Sequence, residues 1–148
     1  MTATSPPRIV TPTIEPTHEQ WISSLTDIVT VIAWRDEAIE TNPNSTPTTS
    51  DSSLVWWLPS TGSIACVIAH RWSHYAATGP STWMVEDIAK TFGIGESVGR
   101  VRQSIDRLEK FGIIRRTGRT VAVRLWLPPL SERQRSRLPD YLAAVYPG

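Results

Sequence analysis

Seven cationic side chains lie between residues 100 and 119, and one glutamine lies among them. Guanidinium and ammonium groups bind phosphate oxygens, arginine also matches the exposed edge of guanine, and glutamine matches that of adenine. Residues 96–137 hold eleven Lys/Arg against four Asp/Glu, whereas residues 1–95 hold four against nine. The formal net charge of +1 therefore conceals a confined basic block. Such a block is typical of a phosphate-facing surface, although a solvated arginine-rich face has the same composition.

An amphipathic helix over residues 97–111 is predicted to position most of these side chains. Ser97 is a suitable N-cap, because its hydroxyl can accept a hydrogen bond from a first-turn N–H, and Gly112 suits a left-handed C′ position. Residues at three- and four-residue steps form one apolar face, which consists of Val98, Val101, Ile105, Leu108 and Phe111. The opposite face is polar and mostly cationic, with Gly99, Gln103, Asp106 and Lys110 at its centre and Arg100, Arg102 and Arg107 at its margins.

A basic β-hairpin is predicted directly after this helix. Residues 113–116 and 120–127 are rich in β-formers, and apolar residues alternate along the second run. The loop over 117–119 contains Gly118, at a position where positive φ is expected. The hairpin tip is therefore expected to present Arg115, Arg116 and Arg119.

The elements before this pair complete a helix-turn-helix pattern. A helix is predicted over 63–77, with Ile64, Val67, Ile68 and Trp72 in the core, followed by a short strand over 82–84. A second helix over 86–92 and a Gly-Ile-Gly turn over 93–95 then lead to the helix that begins at Ser97.

The spacing from residue 97 to residue 114, Ser-x3-Val-x3-Ile-x2-Leu-x3-Gly-Ile-Ile, resembles the recognition helix of bacterial winged helix-turn-helix proteins, and the basic hairpin resembles their wing. The motifs Trp-Arg-Asp over 34–36 and Trp-Leu-Pro over 57–59 are similar to stretches in actinobacterial or phage-borne regulators. The resemblance implies an α+β fold, mainly α: a three-helix core with a small antiparallel wing, an N-terminal helical extension and C-terminal helices.

The expected domain organisation has four parts. Residues 1–18, rich in Pro and Thr, are expected to be a flexible arm. Residues 19–53 are interpreted as an N-terminal helical segment and a Thr/Asn/Pro/Ser-rich linker, although β-branched residues weaken the helical pattern. The winged-helix domain is expected over 54–127, with one residue of the Trp56–Trp57 pair in the core and the other at a surface. Residues 128–148 are expected to form a C-terminal helical extension.

The C-terminal extension is predicted to contain two short helices. Ser131 is the N-cap of the first, and the second runs over 141–146 with Tyr141, Leu142, Val145 and Tyr146 as candidate docking residues. Terminal helices of winged-helix proteins often dimerise, so by analogy a homodimer is an expected assembly.

The resemblance implies a transcriptional regulator whose partner is double-stranded DNA. The helix from Ser97 would enter the major groove, and Gly99 would permit close approach. Arg100 and Gln103 are the candidates for base contacts. The candidate phosphate-binding residues are Arg102, Arg107, Lys110, Arg115, Arg116 and Arg119, with Arg119 on the backbone or in the minor groove. The alternative is a winged-helix module that binds a protein through its Trp-rich N-terminal half.

Other classes of protein find little support in the sequence. Nucleotide-cradle, nucleophile-elbow and zinc-protease motifs are absent, so an enzyme is not expected, and no cofactor is implied. His70 and His74 have helical metal-pair spacing but lack a third ligand nearby, so no metal site is expected. The single cysteine, Cys66, is expected to be a small buried hydrophobe in a reducing compartment. With neither a membrane-spanning run nor a signal peptide expected, the predicted location is the cytoplasm.

Overall fold

The computed structural model describes residues 21–147, and the arm predicted over 1–18 lies outside the described residues. The fold is α+β. Its helices are α1 (Glu37–Glu40), α2 (Asp51–Trp56), α3 (Leu58–Thr61), α4 (Ser63–Thr78), α5 (Val85–Thr91), α6 (Val98–Lys110), α7 (Glu132–Arg135) and α8 (Asp140–Ala143). Its strands are β1 (Ile28–Trp34), β2 (Thr46–Pro47), β3 (Ser81–Met84), β4 (Ile114–Thr117), β5 (Thr120–Arg124) and β6 (Trp126–Leu127).

A four-stranded sheet of order β3-β1-β5-β4 forms one layer of the molecule. The central strand β1 runs antiparallel to β3 and parallel to β5, and β4 and β5 form an antiparallel hairpin. Val29 and Val31 of β1 and Val121 and Val123 of β5 are completely buried. The core therefore lies between one face of this sheet and helices α4, α5 and α6.

The N-terminal segment corrects the helical prediction, because residues 28–34 form strand β1 rather than a helix. The uninterrupted β-branched run from Ile28 to Ile32 suits a pleated strand, whose neighbours β3 and β5 lie on both sides. Only residues 37–40 form a helix here, and the side chain of Asp36 caps it. The predicted N-terminal helical extension is thus mainly the central strand of the sheet.

The segment interpreted as a linker is also part of the fold. Strand β2 pairs with β6 in a separate two-stranded sheet, and Thr48 and Ser53 are buried. The hydroxyl of Ser53 donates to the carbonyls of Thr48 and Ser50. Residues 41–50 therefore connect α1 to α2 along a path fixed by this pairing and these hydrogen bonds.

Helix α4 is the longest helix of the core, and its sixteen residues match the predicted span closely. Ile68 and Trp72 are buried as expected, but Val67 is 39 % exposed and Ile64 is only partly buried. The buried stripe instead uses small residues of the same helix, which are Ala65, Cys66, Ala69, Ser73 and Ala76. Val67 lies on the opposite side of the helix from this stripe, at 100° per residue, and therefore faces outward. Within residues 21–147, no helix has both the length and the apolar character required to cross a bilayer.

The predicted helix pair and hairpin are confirmed as elements. Val101, Ile105 and Leu108 of α6 are fully buried, and so are Ile88 and Ala89 of α5, while Phe92 after α5 is partly buried against the core. Gly112 ends α6 with φ of +74°, and Gly118 forms the hairpin turn with φ of +61°. Both angles lie in the left-handed region, which glycine adopts without a Cβ clash. Strand β3 belongs to the same sheet as this hairpin, but β1 separates the two.

The tryptophan pair and the C-terminal helices pack together. Trp57 is 3 % exposed, whereas Trp56 is half-buried and contacts Tyr146 edge-on. Ser131 is the N-cap of α7, as predicted, and it forms a capping box with Gln134. Helix α8 is shorter than predicted, and Tyr141 and Val145, two expected docking residues, are 73 % and 65 % exposed. The other two expected docking residues, Leu142 and Tyr146, do pack against the core.

Candidate nucleic-acid interface

The outer face of α6 is set by its cap and by its buried stripe. The backbone N–H of Arg100 donates to the hydroxyl of Ser97 at 3.2 Å, which fixes the first turn. Val101, Ile105 and Leu108 face the core, so residues about 180° away at 100° per residue must face outward. Gln103 and Lys110 occupy that position and are exposed.

A groove of about 550 Å³ runs along this face, between α6 and the first turn of α4. Residues 61–65 form one wall of the groove. The other wall is formed by α6, which contributes Arg100, Gln103, Ser104, Asp106, Arg107 and Lys110. No side chain caps the N-terminus of α4, so its first-turn N–H groups, the positive end of the helix dipole, lie beside these cations.

Two arginines line this groove, and Arg107 is held by more hydrogen bonds than Arg100. Arg107 donates from Nε to the carbonyl of Thr61 and from Nη2 to the carbonyl of Ser60 at 3.1 Å. Its guanidinium therefore satisfies the last carbonyls of α3 while keeping its positive charge. Arg100 is exposed, and its side chain makes one hydrogen bond to the described part of the chain, from Nη1 to the carbonyl of Ile94 at 3.3 Å.

The segment before β1 lies between α6 and the hairpin, and Trp21 is its main contact. The Trp21 indole N–H donates to Asp106 of α6 at 2.9 Å, and the guanidinium carbon of Arg116 lies 4.7 Å from the centroid of a Trp21 ring. Arg119 donates to the Trp21 carbonyl at 3.2 Å, and Arg102 donates to the carbonyl of Ile22. The region formed by Trp21, Ile22, Arg102, Asp106, Arg116 and Arg119 is called the wing flank below.

Ion pairs hold the hairpin arginines of the wing flank further. Arg119 lies 3.3 Å from Asp27, and Arg116 lies 3.7 Å from Glu109. The pKa of Asp27 is lowered, chiefly because its carboxylate accepts the backbone N–H of Ser23; a further N–H from Ser24 and the charge of Arg119 add to the effect against partial burial. Asp27 is therefore ionised at neutral pH, and its carboxylate holds the Arg119 guanidinium in place.

Arg115 is separated from the other predicted site residues. It alternates along β4 with the buried Ile114 and with Arg116, so it lies on the sheet face opposite α6. There its guanidinium carbon lies 4.6 Å from a ring centroid of Trp34, which also contacts Arg124 at 3.6 Å. Arg124 donates to the carbonyl of Gly112 and to Asp36, and so ties the end of α6 to the start of α1.

A second cavity, of about 530 Å³, continues from the groove past the C-terminal end of α6. Arg107 and Lys110 line both spaces. Helix α7 and its following turn add Arg133 and Arg137, and none of the carboxylates in the described part of the chain lines this cavity. Its lining also includes Ser60, Phe111, Ser131 and Gln134, and we call it the α7 basin.

Groups capable of metal or nucleophile chemistry are sparse in the described part of the chain. His70 and His74 lie with ring centroids 5.1 Å apart, and within residues 21–147 no three His, Cys, Asp or Glu residues form a metal-binding group. Cys66 is buried as predicted, and burial raises the pKa of its thiol to about 11.

The structure thus brings together most of the predicted site residues. Ser97, Gly99, Arg100, Gln103, Arg107 and Lys110 lie along the outer half of α6, and Arg102, Arg116 and Arg119 lie on the wing flank. Trp21 and the start of α4 were missed, because only the folded chain brings them beside α6. Arg133 and Arg137 were visible as part of the basic block, but their position was not predictable from spacing.

Comparisons of the chain with protein-family models, with curated proteins and with solved structures gave no significant match.

Proposed function

We propose that this protein is a transcriptional regulator that binds double-stranded DNA through a winged helix-turn-helix, with α6 as recognition helix and the β4–β5 hairpin as wing. The observation that carries the proposal is the outer face of α6. Gln103 and Lys110 are exposed there, and cations lie on both sides. A major groove about 12 Å wide admits one helix between two phosphate backbones, which matches such an arrangement.

The order of elements supports this fold. Helices α4, α5 and α6 surround one core, a short turn joins the last two, and a hairpin follows directly. Strand β3 lies between the first two helices in sequence and joins the sheet. Strand β1, inserted between β3 and β5, is an addition to the three-stranded wing sheet that the resemblance implies.

Base contacts in this proposal come from the N-terminal half of α6. Gly99 adds no side chain, so the backbone can approach the DNA closely. Arg100 has most of its donors available for a guanine edge, and the amide of exposed Gln103 suits adenine. Asp106, a liability near phosphates, is drawn toward the wing flank by the indole of Trp21.

Phosphate contacts would then come from both sides of α6. Arg119 is 51 % exposed in its side chain despite its partners, so it can reach one backbone. On the other side, Lys110 and the uncapped first turn of α4 offer an ammonium group and backbone N–H groups, both of which bind phosphate.

Fluorescence anisotropy with a labelled duplex of about 25 base pairs, long enough for two half-sites, tests the proposal. The double variant Gln103→Ala/Lys110→Gln should bind at least about tenfold more weakly than the parent, since it loses one base contact and one phosphate contact. Arg35→Gln is the matched control, because it removes one cation paired with Glu40 outside the α6 face. A parent that binds no duplex at low salt, or a double variant that binds like Arg35→Gln, would refute the proposal.

A protein partner is the second candidate, because several large side chains are exposed. Val67 and Tyr75 on α4 and Tyr141 and Val145 near the C-terminus are 39–73 % exposed. Such side chains are enriched where proteins meet. A homodimer through the terminal helices stays a prediction of the same kind. Duplex binding that is absent at low salt would favour this candidate over DNA.

A further inference from the structure

The α7 basin concentrates positive charge. Arg107, Lys110, Arg133 and Arg137 line a single cavity of about 530 Å³, and no acidic side chain of residues 21–147 lines it. Like charges that line one cavity repel one another, and an anion between them would relieve that repulsion. Among the described residues, the side chains of Lys110, Arg133 and Arg137 form neither ion pairs nor hydrogen bonds.

The elements that carry the basic side chains of the basin are held in place by hydrogen bonds and buried residues. Arg107 is fixed at its edge by two carbonyls of α3. Helix α7 is held by the capping box of Ser131 with Gln134, and buried Leu130 and Leu138 anchor its two ends. The basic side chains therefore project from two anchored elements, α6 and the α7 turn.

The remaining lining suits an anion with several oxygens. Ser131 and Gln134 bring short polar groups to the rim, and Phe111 supplies one apolar wall beside the Arg107 guanidinium, at 5.3 Å. Guanidinium groups bind phosphate oxygens in pairs, and a lysine adds a point charge. Carboxylates of a protein ligand would offer fewer oxygens to four cations.

We propose that the α7 basin is a phosphate-binding site in which Lys110, Arg133 and Arg137 contact phosphate oxygens and Arg107 supplies fixed positive charge. The phosphates belong either to a free molecule that carries two or more of them or to a duplex backbone beside α6. The site does not require the DNA-binding proposal: it shares Lys110 with the outer face of α6, but Arg133 and Arg137 come from α7 and its following turn, outside that face.

The test uses the full chain and the double variant Arg133→Gln/Arg137→Gln. Arg135→Gln is the matched control, because Arg135 belongs to the same short helix but lines a different cavity. Calorimetric titration with inorganic pyrophosphate tests whether the basin binds a free molecule that carries two phosphates. The salt dependence of duplex binding tests whether the basin binds the phosphates of a DNA backbone. The parent and the double variant should have equal melting temperatures, since Arg133 and Arg137 are exposed. The control loses the contact between the Arg135 guanidinium and the Tyr146 ring, at 5.5 Å, so its melting temperature is measured alongside.

For a free source, the double variant should bind pyrophosphate at least about tenfold more weakly than the parent and the control. If the phosphates belong to a DNA backbone, the slope of log K against log salt should be less steep for the double variant, by about two phosphate equivalents. A double variant that matches the parent in both titrations would overturn the proposal. If the parent binds pyrophosphate but not duplex DNA, the basin proposal is supported and the DNA-binding proposal is rejected. If the parent binds duplex DNA but not pyrophosphate, and the double variant binds duplex DNA equally well, the DNA-binding proposal is supported and the basin proposal is rejected.

Discussion

The wing flank and the α7 basin flank α6 on two sides, and both are rich in cations. The two regions differ in how many of these cations have hydrogen-bond or ion-pair partners within the described part of the chain. On the wing flank, Arg102 donates to a backbone carbonyl, Arg116 contacts Trp21 and Glu109, and Arg119 contacts Trp21 and Asp27. In the α7 basin, Lys110, Arg133 and Arg137 make no such contacts with other described residues.

Because of this difference, the number of cations in a region does not equal the number that are free to bind a phosphate. A cation that already has carbonyl or carboxylate partners must give up or share those bonds before it meets a phosphate, so its contribution to binding is reduced. Its position, in return, is better defined. We therefore expect the wing flank to orient a duplex and the basin side to supply more of the electrostatic affinity.

The largest effect is expected from Arg107→Ala, because Arg107 has both a structural and an electrostatic role. Its loss leaves the carbonyls of Ser60 and Thr61 without their donors and should lower the free energy of unfolding by about 1–3 kcal/mol. Urea unfolding measures this change. Arg107→Lys, which keeps the charge but not the paired donors, should recover duplex affinity more than stability; equal recovery of both would contradict the assigned dual role.

Removal of the side chain of Arg100 should alter sequence preference. We expect Arg100→Ala to lose about 1–3 kcal/mol of discrimination between a preferred duplex and one with a changed base pair, as for a lost guanine contact. Its stability should change little, because the side chain makes one hydrogen bond, to Ile94. Selection of duplexes from a random pool, followed by competition anisotropy, makes the comparison. Unchanged discrimination would remove Arg100 from the base-contacting set.

A pair of charge-matched variants tests the two flanks directly. Lys110→Gln should reduce the slope of log K against log salt by about one phosphate equivalent, whereas Arg119→Gln should reduce it by less. The reason is that Arg119 already pairs with Asp27 at 3.3 Å and donates to the Trp21 carbonyl. Both variants should weaken binding to all sequences alike. A larger loss of slope for Arg119→Gln would reverse the proposed division between flanks.

The smallest effect is expected from Asp27→Asn and concerns pH. The pKa of Asp27 lies below its ordinary value of 3.8, first because of the hydrogen bond from the Ser23 amide. A lowered pKa in the folded state contributes stability above the ordinary value, and this stability is lost as pH falls through the lowered value. The parent should therefore exceed Asp27→Asn in melting temperature at about pH 7, and this difference should shrink toward about pH 3. A difference that is constant with pH would mean that the charge of Asp27 is unimportant to the wing flank.

Local patterns were sufficient to predict α4, α5, α6 and the hairpin, because caps, glycines and a 3.6-residue apolar period lie within each element. The same reasoning misassigned residues 28–34. Their apolar positions fit a helix face by spacing, and the strand partners that stabilise β1 are distant in sequence, at 81–84 and 120–124.

The candidate site was predictable to a similar degree. The α6 face follows from helical spacing, which places Gln103 and Lys110 opposite Val101 and Leu108. Spacing does not show which arginines have internal partners, because the Trp21, Asp27 and Thr61 contacts join residues far apart in the chain. Arg115 and Arg116 lie on opposite faces of the sheet, which follows from alternation along β4 once residues 114–117 are assigned to a strand.

The most direct test of DNA recognition by the α6 face is the salt dependence of duplex binding by the parent chain. With Lys110, Arg100 and the two flanks in contact with phosphates or bases, we predict a linear fall of log K against log salt with a slope of about −4 or steeper. A slope near zero, or no duplex binding at low salt, would contradict this account.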